Sequence, residues 1–352
     1  MARALELAAL GLFTTTPNPR VGCVIARDGI ILGEGWHERA GEAHAETRAL
    51  ADAIARGNDP RGASAYVTLE PCNHHARTPP CTEALLAAGI ARVVAAMRDP
   101  YPPAKHGADS LAGAGVAVEL GLLEDEAREL NVGWIKRVET GRPWVRAKVA
   151  TSLDGRTALD NGTSQWITGS AARADGHRWR ARACAILTGI GTVRQDNPQL
   201  TVREVDTPRQ PLKIVIDRYG DMPVQARVLA AGDVLVFTAT APRTKWPPHV
   251  HTLVLPDRSG RVDLAAMLGV LGEREINELH VEAGARLNGA LLSAGLVDEL
   301  LVYLAPCVLG DPARGMFALP VALTRLEDRF ALRVRSIEQV GGDWRILARV
   351  ER

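Results

Sequence analysis

The chain has 352 residues, of which 46% are hydrophobic and 24% charged, and its formal net charge is +1. This composition is typical of a globular protein long enough for two domains. The near-neutral charge and the 4% aromatic content argue against a protein that coats nucleic acid. No apolar run is long enough to cross a bilayer, no signal peptide is evident, and five cysteines do not form a disulfide pattern, so we expect a cytoplasmic protein with no membrane partner.

The first part of the chain alternates helix and strand signals. Apolar periodicity predicts helices at residues 4–10, 44–56, 82–88, 108–114 and 124–136, and strands at 21–26, 30–36, 65–69, 92–96 and 116–120. The Asp28-Gly29 pair is a strong hairpin signal between the first two strands. Helices that interleave with short apolar strands predict a three-layer α/β/α sandwich.

A polar segment at 137–143, which contains Gly and Pro, is the best linker candidate. It predicts one domain at 1–142 and a second at 143–352. In the second domain, strands are predicted at 145–152, 185–188, 212–217, 234–238, 250–255, 278–282, 299–306, 330–337 and 344–350, and helices at 171–182, 264–271 and 287–294. The strand pair that ends the chain is compatible with an antiparallel edge.

The stretch from His44 to Cys81 combines metal-binding side chains with one extra carboxylate. His44 is followed two residues later by Glu46, then by a predicted strand, by Cys72 on the loop that leaves it, and by Cys81. One His and two Cys leave the fourth tetrahedral position of a zinc ion open to water, as in catalytic rather than structural sites. The order resembles the deaminase signature, in which the Glu moves protons.

The spacing of these residues also predicts where they lie. Residues two apart on a helix face away from each other, so His44 and Glu46 can serve one metal only at a helix N-terminus. Cys81 follows two prolines and opens a predicted helix, whose dipole would stabilise its thiolate. Each feature alone is common in ordinary helices and cores. Their conjunction favours an open zinc site.

Longer motifs resemble those of the bifunctional riboflavin-biosynthesis deaminase/reductases over nearly the whole chain. They are P-N-P-R-V-G at 17–22, H-A-E at 44–46, T-L-E-P-C at 68–72, H-H-A-R-T-P-P-C at 74–81, S-L-D-G-R at 152–156, S-Q-W-I-T at 164–168 and V-E-A-G at 281–284. The resemblance implies an α/β chain, with an N-terminal three-layer α/β/α cytidine-deaminase-like domain followed by a dihydrofolate-reductase-like α/β domain.

The resemblance also implies two consecutive reactions and two cofactors. The first domain would use Zn²⁺ to hydrolyse the 2-amino group of a diaminopyrimidinone that carries a ribosylamino 5-phosphate. The second would use NADPH to reduce the ribosyl group to ribityl. The expected partners are therefore this small phosphoribosylaminopyrimidine and further copies of the chain in a homo-oligomer, without nucleic acid.

Residues of the deaminase site follow from the same motifs. The metal ligands are His44, Cys72 and Cys81, and the catalytic acid and base is Glu46. Asn18 can both donate to and accept from a pyrimidine edge, although a role as a turn residue is equally compatible. An anionic phosphoribosyl end needs cations. The candidates, each of which could instead be an exposed loop residue, are His37, His74, Arg77 and Lys105.

For the reduction, Gly-containing loops at 189–192 and 282–289 follow predicted strands and would let backbone amides approach phosphates. By resemblance, the residues that bind NADPH are Trp166, Thr192, Asp196, Gly284, Ala285, Arg286, Leu287, Asn288, Gly289 and Ala290. Those that bind the substrate are Ser164, Arg180, Leu200, Arg203 and Glu282. Arg218, just past a strand, could meet the 2′-phosphate of NADPH. Lys148 and Asp154 could assist the hydride step.

Two other interpretations remain open from the sequence alone. In one, a zinc deaminase acts on a base within nucleic acid and the C-terminal half is a docking module, which would require a basic groove and stacking aromatics. In the other, zinc is structural and the chain is a nucleotide-binding regulator. A structural zinc site normally has four protein ligands, so this interpretation has to explain why the sequence offers three ligands and an additional Glu but no obvious fourth ligand.

Overall fold

The computed structural model describes residues 1–74, 79–104 and 106–351. The chain divides into two compact units, Met1–Gly141 and Arg142–Arg352. Each unit has its own hydrophobic core, built on its own sheet. Among the described helices, none combines the length and the apolar character that crossing a bilayer requires.

The described residues of the first unit form a five-stranded sheet with helices around it. Its strands are β1 (Gly22–Arg27), β2 (Ile30–Trp36), β3 (Ser64–Val67), β4 (Arg92–Ala95) and β5 (Ala117–Leu120). Its helices are α1 (Ala2–Leu10), α2 (Ala45–Ala55), α3 (Cys81–Ala87), α4 (Gly107–Gly113), α5 (Glu124–Leu130) and α6 (Val132–Thr140). The strand order is β2-β1-β3-β4-β5, in which β1 is antiparallel to both neighbours and β3, β4 and β5 are parallel.

Strand β1 shows why this sheet needs helices on both faces. Successive side chains of a strand point to opposite faces. Val24 packs against Ala4 and Leu7 of α1, whereas Cys23 and Ile25 lie in the larger cluster that contains α2. The predicted α/β/α sandwich is therefore confirmed.

Two predictions near the end of this unit are wrong. The helix predicted at 124–136 is broken at Asn131, and the linker predicted at 137–143 is helical as far as Thr140. The Asn131 side chain accepts from the backbone N–H of Arg20 at 2.7 Å and donates to its carbonyl oxygen at 2.8 Å. Such bonds between an Asn side chain and the backbone compete with continued helix. Helix α6 then ends at Gly141, whose φ of 69° suits glycine.

The second unit contains a larger sheet. Its strands are β6 (Trp144–Ser152), β7 (Arg156–Ala158), β8 (Ala185–Gly189), β9 (Leu212–Ile216), β10 (Val234–Thr238), β11 (Val250–Val254), β12 (Glu278–Val281), β13 (Glu299–Ala305), β14 (Arg314–Gly315), β15 (Leu332–Val340) and β16 (Asp343–Val350). Its helices are α7 (Ser170–Arg182), α8 (Ile190–Asp196), α9 (Leu264–Glu273) and α10 (Ala285–Ser293).

Among the described residues the strand order is β11-β10-β9-β8-β12-β6-β13-β16-β15, and β7 pairs separately with β14. Strands from β11 to β13 are parallel, while β16 and β15 add an antiparallel edge, as the sequence predicted. The predicted loop at 189–192 is wrong, because α8 begins at Ile190. Its glycine content lowers helix propensity, and burial of Val193 against the sheet overrides that preference.

One face of this sheet is charged where an apolar core would be expected. Arg146 of β6 is 1% exposed, and it donates to Glu278 of β12 at 2.9 Å and to Glu299 of β13 at 2.5 Å. Charges buried this deeply are tolerated only when they are paired. On the same face, nearer the carboxyl ends of the strands, lie Lys148 and Glu282.

Candidate functional site

The three predicted metal ligands of the first unit converge. His44 is the N-cap of α2 and Cys81 is the first residue of α3. His44 Nδ1 lies 3.2 Å from Cys81 Sγ and 3.5 Å from Cys72 Sγ, and the three atoms all lie within 4.8 Å of one another. Bond lengths of about 2.0–2.3 Å to tetrahedral zinc give ligand-to-ligand edges of about 3.5 Å. The donor set and its spacing therefore fit zinc.

A carboxylate accompanies this group, and no fourth ligand does among the residues that the structure describes. Within the described ranges, the metal-binding cluster comprises His44, Cys72 and Cys81 alone. Glu46 lies in the first turn of α2 and is 3% exposed. Burial raises the pKa of Glu46, and the charge of Cys72 raises it further. The helix N-terminus thus brings His44 and Glu46 to one site, as their spacing requires.

The start of α3 supports both cysteines of the site. Cys81 is the first residue of α3, as the sequence predicted, and its backbone N–H donates to Cys72 Sγ at 3.4 Å. Hydrogen bonds from the Cys81 thiol and from His44 lower the pKa of Cys72 to about 4. Cys72 is therefore suited to bind a metal as a thiolate.

Glu70, which sequence reasoning did not single out, holds the loops beside the metal site. Its two carboxylate oxygens accept from the backbone N–H groups of Ala108 at 2.9 Å and Asp99 at 3.0 Å. Gly107 packs so closely that a Cβ there would lie 1.8 Å from the Pro71 carbonyl oxygen. Only glycine fits, and the segment before Cys72 is fixed against α4.

Asn18 and His37 form a pair next to the metal ligands. Asn18 Nδ2 lies 3.0 Å from His37 Nε2, and His37 Nδ1 lies 3.2 Å from the Ala43 carbonyl oxygen. The His37 ring stands edge-on to His44, with 5.3 Å between centroids. His37 is 3% exposed, and burial lowers its pKa. A neutral imidazole that donates through Nδ1 and accepts through Nε2 suits the orientation of Asn18 better than the binding of a phosphate.

Of the other cations predicted for the phosphoribosyl end, Arg77 and Lys105 lie outside the described residues. The ring of His74 stands edge-on to Tyr101 with 6.3 Å between centroids. Its Nδ1 is buried and has no hydrogen-bond partner within the described residues. His74 therefore still offers a polar atom to a ligand.

The second unit contains a pocket, called here the cofactor pocket, beside the carboxyl ends of β8 and β12. Ligands of open α/β sheets characteristically bind at such ends. Nine of the residues predicted for the reduction line it, namely Lys148, Ser164, Trp166, Thr192, Asp196, Glu282, Gly284, Ala285 and Asn288. Gly284 is the N-cap of α10, so the free backbone N–H groups of that helix begin at the pocket wall. Such a helix N-terminus fits the phosphates of a dinucleotide.

A second pocket, called here the phosphate pocket, adjoins the first and is lined by several cations. Predicted residues in its lining are Arg180, Arg203 and Glu282. Arg180 donates to the Glu282 carboxylate at 2.5 and 2.8 Å and to the Thr201 carbonyl oxygen at 3.0 Å. This bidentate pair fixes both side chains in place.

The two pockets share a wall. Its residues are Lys148, Trp166, Thr168, Arg173 and Glu282. Lys148 is half-buried, and desolvation lowers the pKa of its ammonium group. Its Nζ lies 5.7 Å from the centroid of the Tyr303 ring. A lysine at this junction can reach a group in either pocket.

Arg173 and His177 line the phosphate pocket but were missed from the sequence. Both lie on α7 with Arg180, at positions that share one helix face, so the spacing within the predicted helix was a usable signal. Arg173 lies over the Trp166 ring at 4.6 Å and donates to the Thr168 carbonyl oxygen at 2.8 Å. Burial lowers the pKa of His177 to about 4, with a further contribution from Arg180.

Other predicted residues lie outside the linings of both pockets. They are Leu200, Arg218, Arg286, Leu287, Gly289 and Ala290. A Cβ on Gly289 would lie 2.1 Å from the Ala318 carbonyl oxygen, so this glycine serves packing. Asp154 anchors a turn by accepting from Ser152 Oγ at 2.5 Å, and this bond is the main cause that lowers its pKa to about 2. A carboxylate so strongly ionised is a poor proton donor.

Comparisons with known proteins cover both units. The RibD C-terminal domain family matches residues 143–346, and the cytidine and deoxycytidylate deaminase zinc-binding region matches residues 1–97. The riboflavin biosynthesis protein RibD of Escherichia coli K12 is 50% identical, over 97% of this chain and 96% of its own length.

Solved structures agree along the whole chain. RibD of Acinetobacter baumannii is 40% identical, with a TM-score of 0.90 over 100% of this chain and 98% of its own. A Thermotoga maritima diaminohydroxyphosphoribosylaminopyrimidine deaminase/5-amino-6-(5-phosphoribosylamino)uracil reductase is 35% identical, with a TM-score of 0.91 over 100% of this chain and 97% of its own.

These matches confirm the predicted fold class and both cofactors, Zn²⁺ and NADPH. They do not favour a deaminase that acts within nucleic acid, because the C-terminal half matches a reductase domain and not a docking module. A chain with this coverage and identity belongs to the RibD family, whose members are bifunctional riboflavin-biosynthesis enzymes that join a zinc-dependent deaminase to an NADPH-dependent reductase.

Proposed function

We propose that residues 1–142 deaminate 2,5-diamino-6-(5-phosphoribosylamino)pyrimidin-4(3H)-one, and that residues 143–352 reduce the ribosyl group of the product to ribityl. The observation that carries this proposal is the convergence of His44, Cys72 and Cys81 beside the buried Glu46. The reductase assignment is supported by Lys148 and Glu282, which line both adjoining pockets of the second unit.

For deamination, His44, Cys72 and Cys81 are the proposed zinc ligands, and zinc bound there supplies the Lewis acidity that makes water nucleophilic near neutral pH. Glu46 accepts a proton from the attacking water and delivers it to the leaving amine, so that ammonia departs and a carbonyl remains. Asn18 orients the pyrimidine. Since its Nδ2 faces His37, its Oδ1 can accept from an N–H group of the ring.

The phosphoribosyl end of the first substrate is assigned to cations near the same site. We retain His74, Arg77 and Lys105 as candidates, because the substrate carries a phosphate and Arg pairs well with phosphate oxygens. We reassign His37 from this group to the orientation of Asn18, because it is buried and hydrogen-bonded through both ring nitrogens.

For the reduction, NADPH bound in the cofactor pocket would supply the hydride that C1 of the ribosyl group accepts. The bond from C1 to the ring oxygen breaks, and that oxygen takes up a proton. Lys148 is the proposed donor of this proton, because it lies in the wall between the pockets and burial brings its pKa closer to neutral. Glu282, held by Arg180, faces the same wall and stabilises the ammonium.

The cofactor pocket is the proposed NADPH site. The backbone N–H groups at Gly284 and Ala285 would hold phosphate oxygens, since both residues lie at the start of α10. The proposed contacts comprise Trp166, Thr192, Asp196 and Asn288 from the lining, and Arg286, Leu287, Gly289 and Ala290 as the helix that supports it. Arg218 remains the proposed partner of the 2′-phosphate; its guanidinium lies 5.0 Å from the Tyr219 ring centroid.

The phosphate pocket is the proposed site for the substrate of the reduction. Arg203 and Arg180 are planar donors suited to a phosphate, and Arg173 adds a third guanidinium to the same wall. His177 lies beside them with a ring that is neutral near pH 7. Ser164 would bind the sugar. Leu200 would contribute through its backbone, because its side chain is 2% exposed.

Binding of an anion in this pocket should raise the pKa of His177. We expect a midpoint near 4 in the free protein and a higher midpoint with ribose 5-phosphate bound, because an anion stabilises the imidazolium. By linkage, ribose 5-phosphate binds more tightly as the pH falls through this range. An NMR titration of the ring signals checks this, with His177→Gln for assignment. An unchanged midpoint at saturating ligand contradicts the assignment of the pocket.

If the two activities reside in separate sites, removal of zinc by a chelator should abolish the deamination and leave the reduction intact. Protein purified without chelator should contain about one zinc per chain, bound by the cluster of His44, Cys72 and Cys81. Removal of zinc should abolish release of ammonia from the diaminopyrimidinone, while oxidation of NADPH on the deaminated product continues. Metal analysis with both assays on one sample checks this. Undiminished ammonia release from zinc-free protein would rule out the proposed deaminase site.

We also propose a cytoplasmic location, since the thiolates of Cys72 and Cys81 need a reducing compartment to remain metal ligands. The chain further acts as a homo-oligomer through one face of β15 and β16. Leu332, Val334 and Ile337 are 46%, 53% and 57% exposed and pair with alternate residues of β16.

This face is suited to a second copy of the chain. The irregular register near Arg335 keeps Ile337 on the same side as Val334, so the apolar residues form one surface. Its other members are Gln339, Trp344 and Ile346, while Ala348 is buried and Val350 packs against the core of the unit. None of them is charged, so two identical faces meet around a two-fold axis without like-charge repulsion. Exposed apolar surface of this kind marks interaction sites.

We expect Ile337→Lys to convert the oligomer to a monomer, because the substitution places a charge in the centre of the apolar face. Light scattering coupled to gel filtration at micromolar concentration measures the mass. Ile30→Lys, which alters an Ile that is 66% exposed on β2, is the matched control and should leave the mass unchanged. A native protein that already has the mass of one chain would refute the oligomer.

A further inference from the structure

His280 is a buried titratable residue to which the proposed mechanism gives no role. It lies in β12, is 0% exposed, and stands opposite Arg146 of β6 and Ile186 of β8 in the sheet register. In the portion of the chain that is described, neither its Nδ1 nor its Nε2 has a hydrogen-bond partner. A buried polar atom without a partner destabilises the fold, so its presence calls for an explanation.

The position of His280 in β12 directs it toward Glu282. Alternation along the strand puts Glu278, His280 and Glu282 on one face of the sheet. His280 Nε2 lies 3.4 Å from Glu282 Oε1, the oxygen that also accepts from Arg180 Nε. The charged groups that face His280 are Arg146 from β6, Arg180 from α7 and Glu282 from its own strand. His280 therefore stands behind the carboxylate that lines both pockets.

The ionisation of these groups agrees with a donor at Nε2. Burial lowers the pKa of His280, so its ring is neutral near pH 7 and has one N–H group to donate. Burial alone would raise the pKa of Glu282, yet Arg180, the nearby Nε2 of His280 and the charge of Lys148 hold it well below its usual range. In turn, the Glu282 charge raises the pKa of Lys148 against the effect of burial.

We propose that His280 is a positioning residue for the reduction: its Nε2–H is directed at Oε1 of Glu282, 3.4 Å away, and keeps that carboxylate ionised beside Lys148. The inference rests on the proposed function of Lys148 as the proton donor. It explains why a polar ring whose two nitrogens have no hydrogen-bond partner among the described residues occupies a fully buried position of a central strand. Function, and not stability, would favour histidine there.

Three substitutions separate this role from a structural one. His280→Gln retains an amide donor near the place of Nε2, His280→Asn has one only near the place of Nδ1, and His280→Leu has none. A hydrogen bond to a charged group contributes a factor of about ten to a hundred. We expect the Leu and Asn variants to lose at least about tenfold in kcat for NADPH oxidation, with KM for NADPH and for the deaminated substrate within about twofold of wild type. The Gln variant should recover most of kcat.

The pH profile of the reduction and the unfolding temperature are two further measurements. A purely structural role of His280 would not produce the changes expected in them. Loss of the donor should shift the acidic limb of the reductase profile to higher pH, because Glu282 then protonates more readily. The Leu variant should unfold at the same or a higher temperature than wild type, because it removes a buried unpaired atom. Ammonia release, measured on the same samples, should stay at the wild-type rate.

A Leu variant with wild-type kcat and an unmoved acidic limb would overturn the inference. Equal loss of kcat in all three variants, together with a lower unfolding temperature, would overturn it as well, since that pattern is structural. Failure of the wild-type enzyme to oxidise NADPH on the deaminated substrate is a different result. It would remove the proposed reductase function itself.

Discussion

Replacement of Glu46 by Gln is expected to lower ammonia release by about 10²- to 10⁴-fold, the range that a positioned general acid and base contributes. The amide has almost the same shape, but it can neither take the proton of the attacking water nor return it to the leaving amine. Because Glu46 is 3% exposed and is not a proposed ligand, the neutral amide should leave folding and zinc content unchanged.

The measurement combines an ammonia assay, metal analysis and NADPH oxidation on substrate that has already been deaminated. Glu42→Gln is the matched control, since Glu42 lies four residues earlier, is exposed and pairs with Arg48 at 2.8 Å. A surface ion pair of this kind contributes little to stability. Retained deamination in Glu46→Gln with bound zinc would remove the assigned mechanism.

The metal site could be predicted from the sequence because its signals are local. The position of Cys81 at the start of α3 follows from the two prolines before it, and that of His44 at the N-cap of α2 follows from its spacing to Glu46. Each needs only helix geometry and the ligand rules for zinc. The hairpin at Asp28-Gly29 could likewise be predicted, because its turn signal is contained in two adjacent residues.

Features that depend on distant residues could not be predicted in the same way. From the sequence, Asn131 is compatible with an ordinary helix position. The structure shows that its amide instead forms hydrogen bonds with both the backbone N–H and the carbonyl oxygen of Arg20. His37 reads as a cation for a phosphate until its partner Asn18 and its burial are known. In each case a tertiary contact decides the role, and one sequence contains no record of that contact.

The reductase half shows the same division between motif and surroundings. Gly284 and Glu282 belong to a recognisable motif, and both line the predicted site. Arg173 and His177 belong to no motif, although they share a helix face with Arg180. Only the packing of α7 over the sheet makes that face the wall of a pocket. Helical periodicity alone predicts that the three residues share one face of α7, but only the tertiary structure shows that this face lines a pocket.

Replacement of Lys148 by Met should lower kcat for NADPH oxidation by about 10²- to 10⁴-fold, again the contribution of a positioned proton donor. Met has a similar length but no proton, and Glu282 loses the ammonium that helps to hold its pKa low. Ammonia release should be unaffected. Lys245→Met, at an exposed lysine, is the matched control and should retain both activities.

The pH dependence separates proton donation by Lys148 from simple binding. In the wild-type enzyme, the reduction should fall as the pH rises through the pKa of Lys148, which burial sets below the usual 10.5. If Lys148 is the donor, the Met variant has no such basic limb, and its residual rate is flat across that range. If Lys148 only binds substrate, KM rises while kcat and its basic limb persist, and the donor must be sought elsewhere in the wall shared by the two pockets.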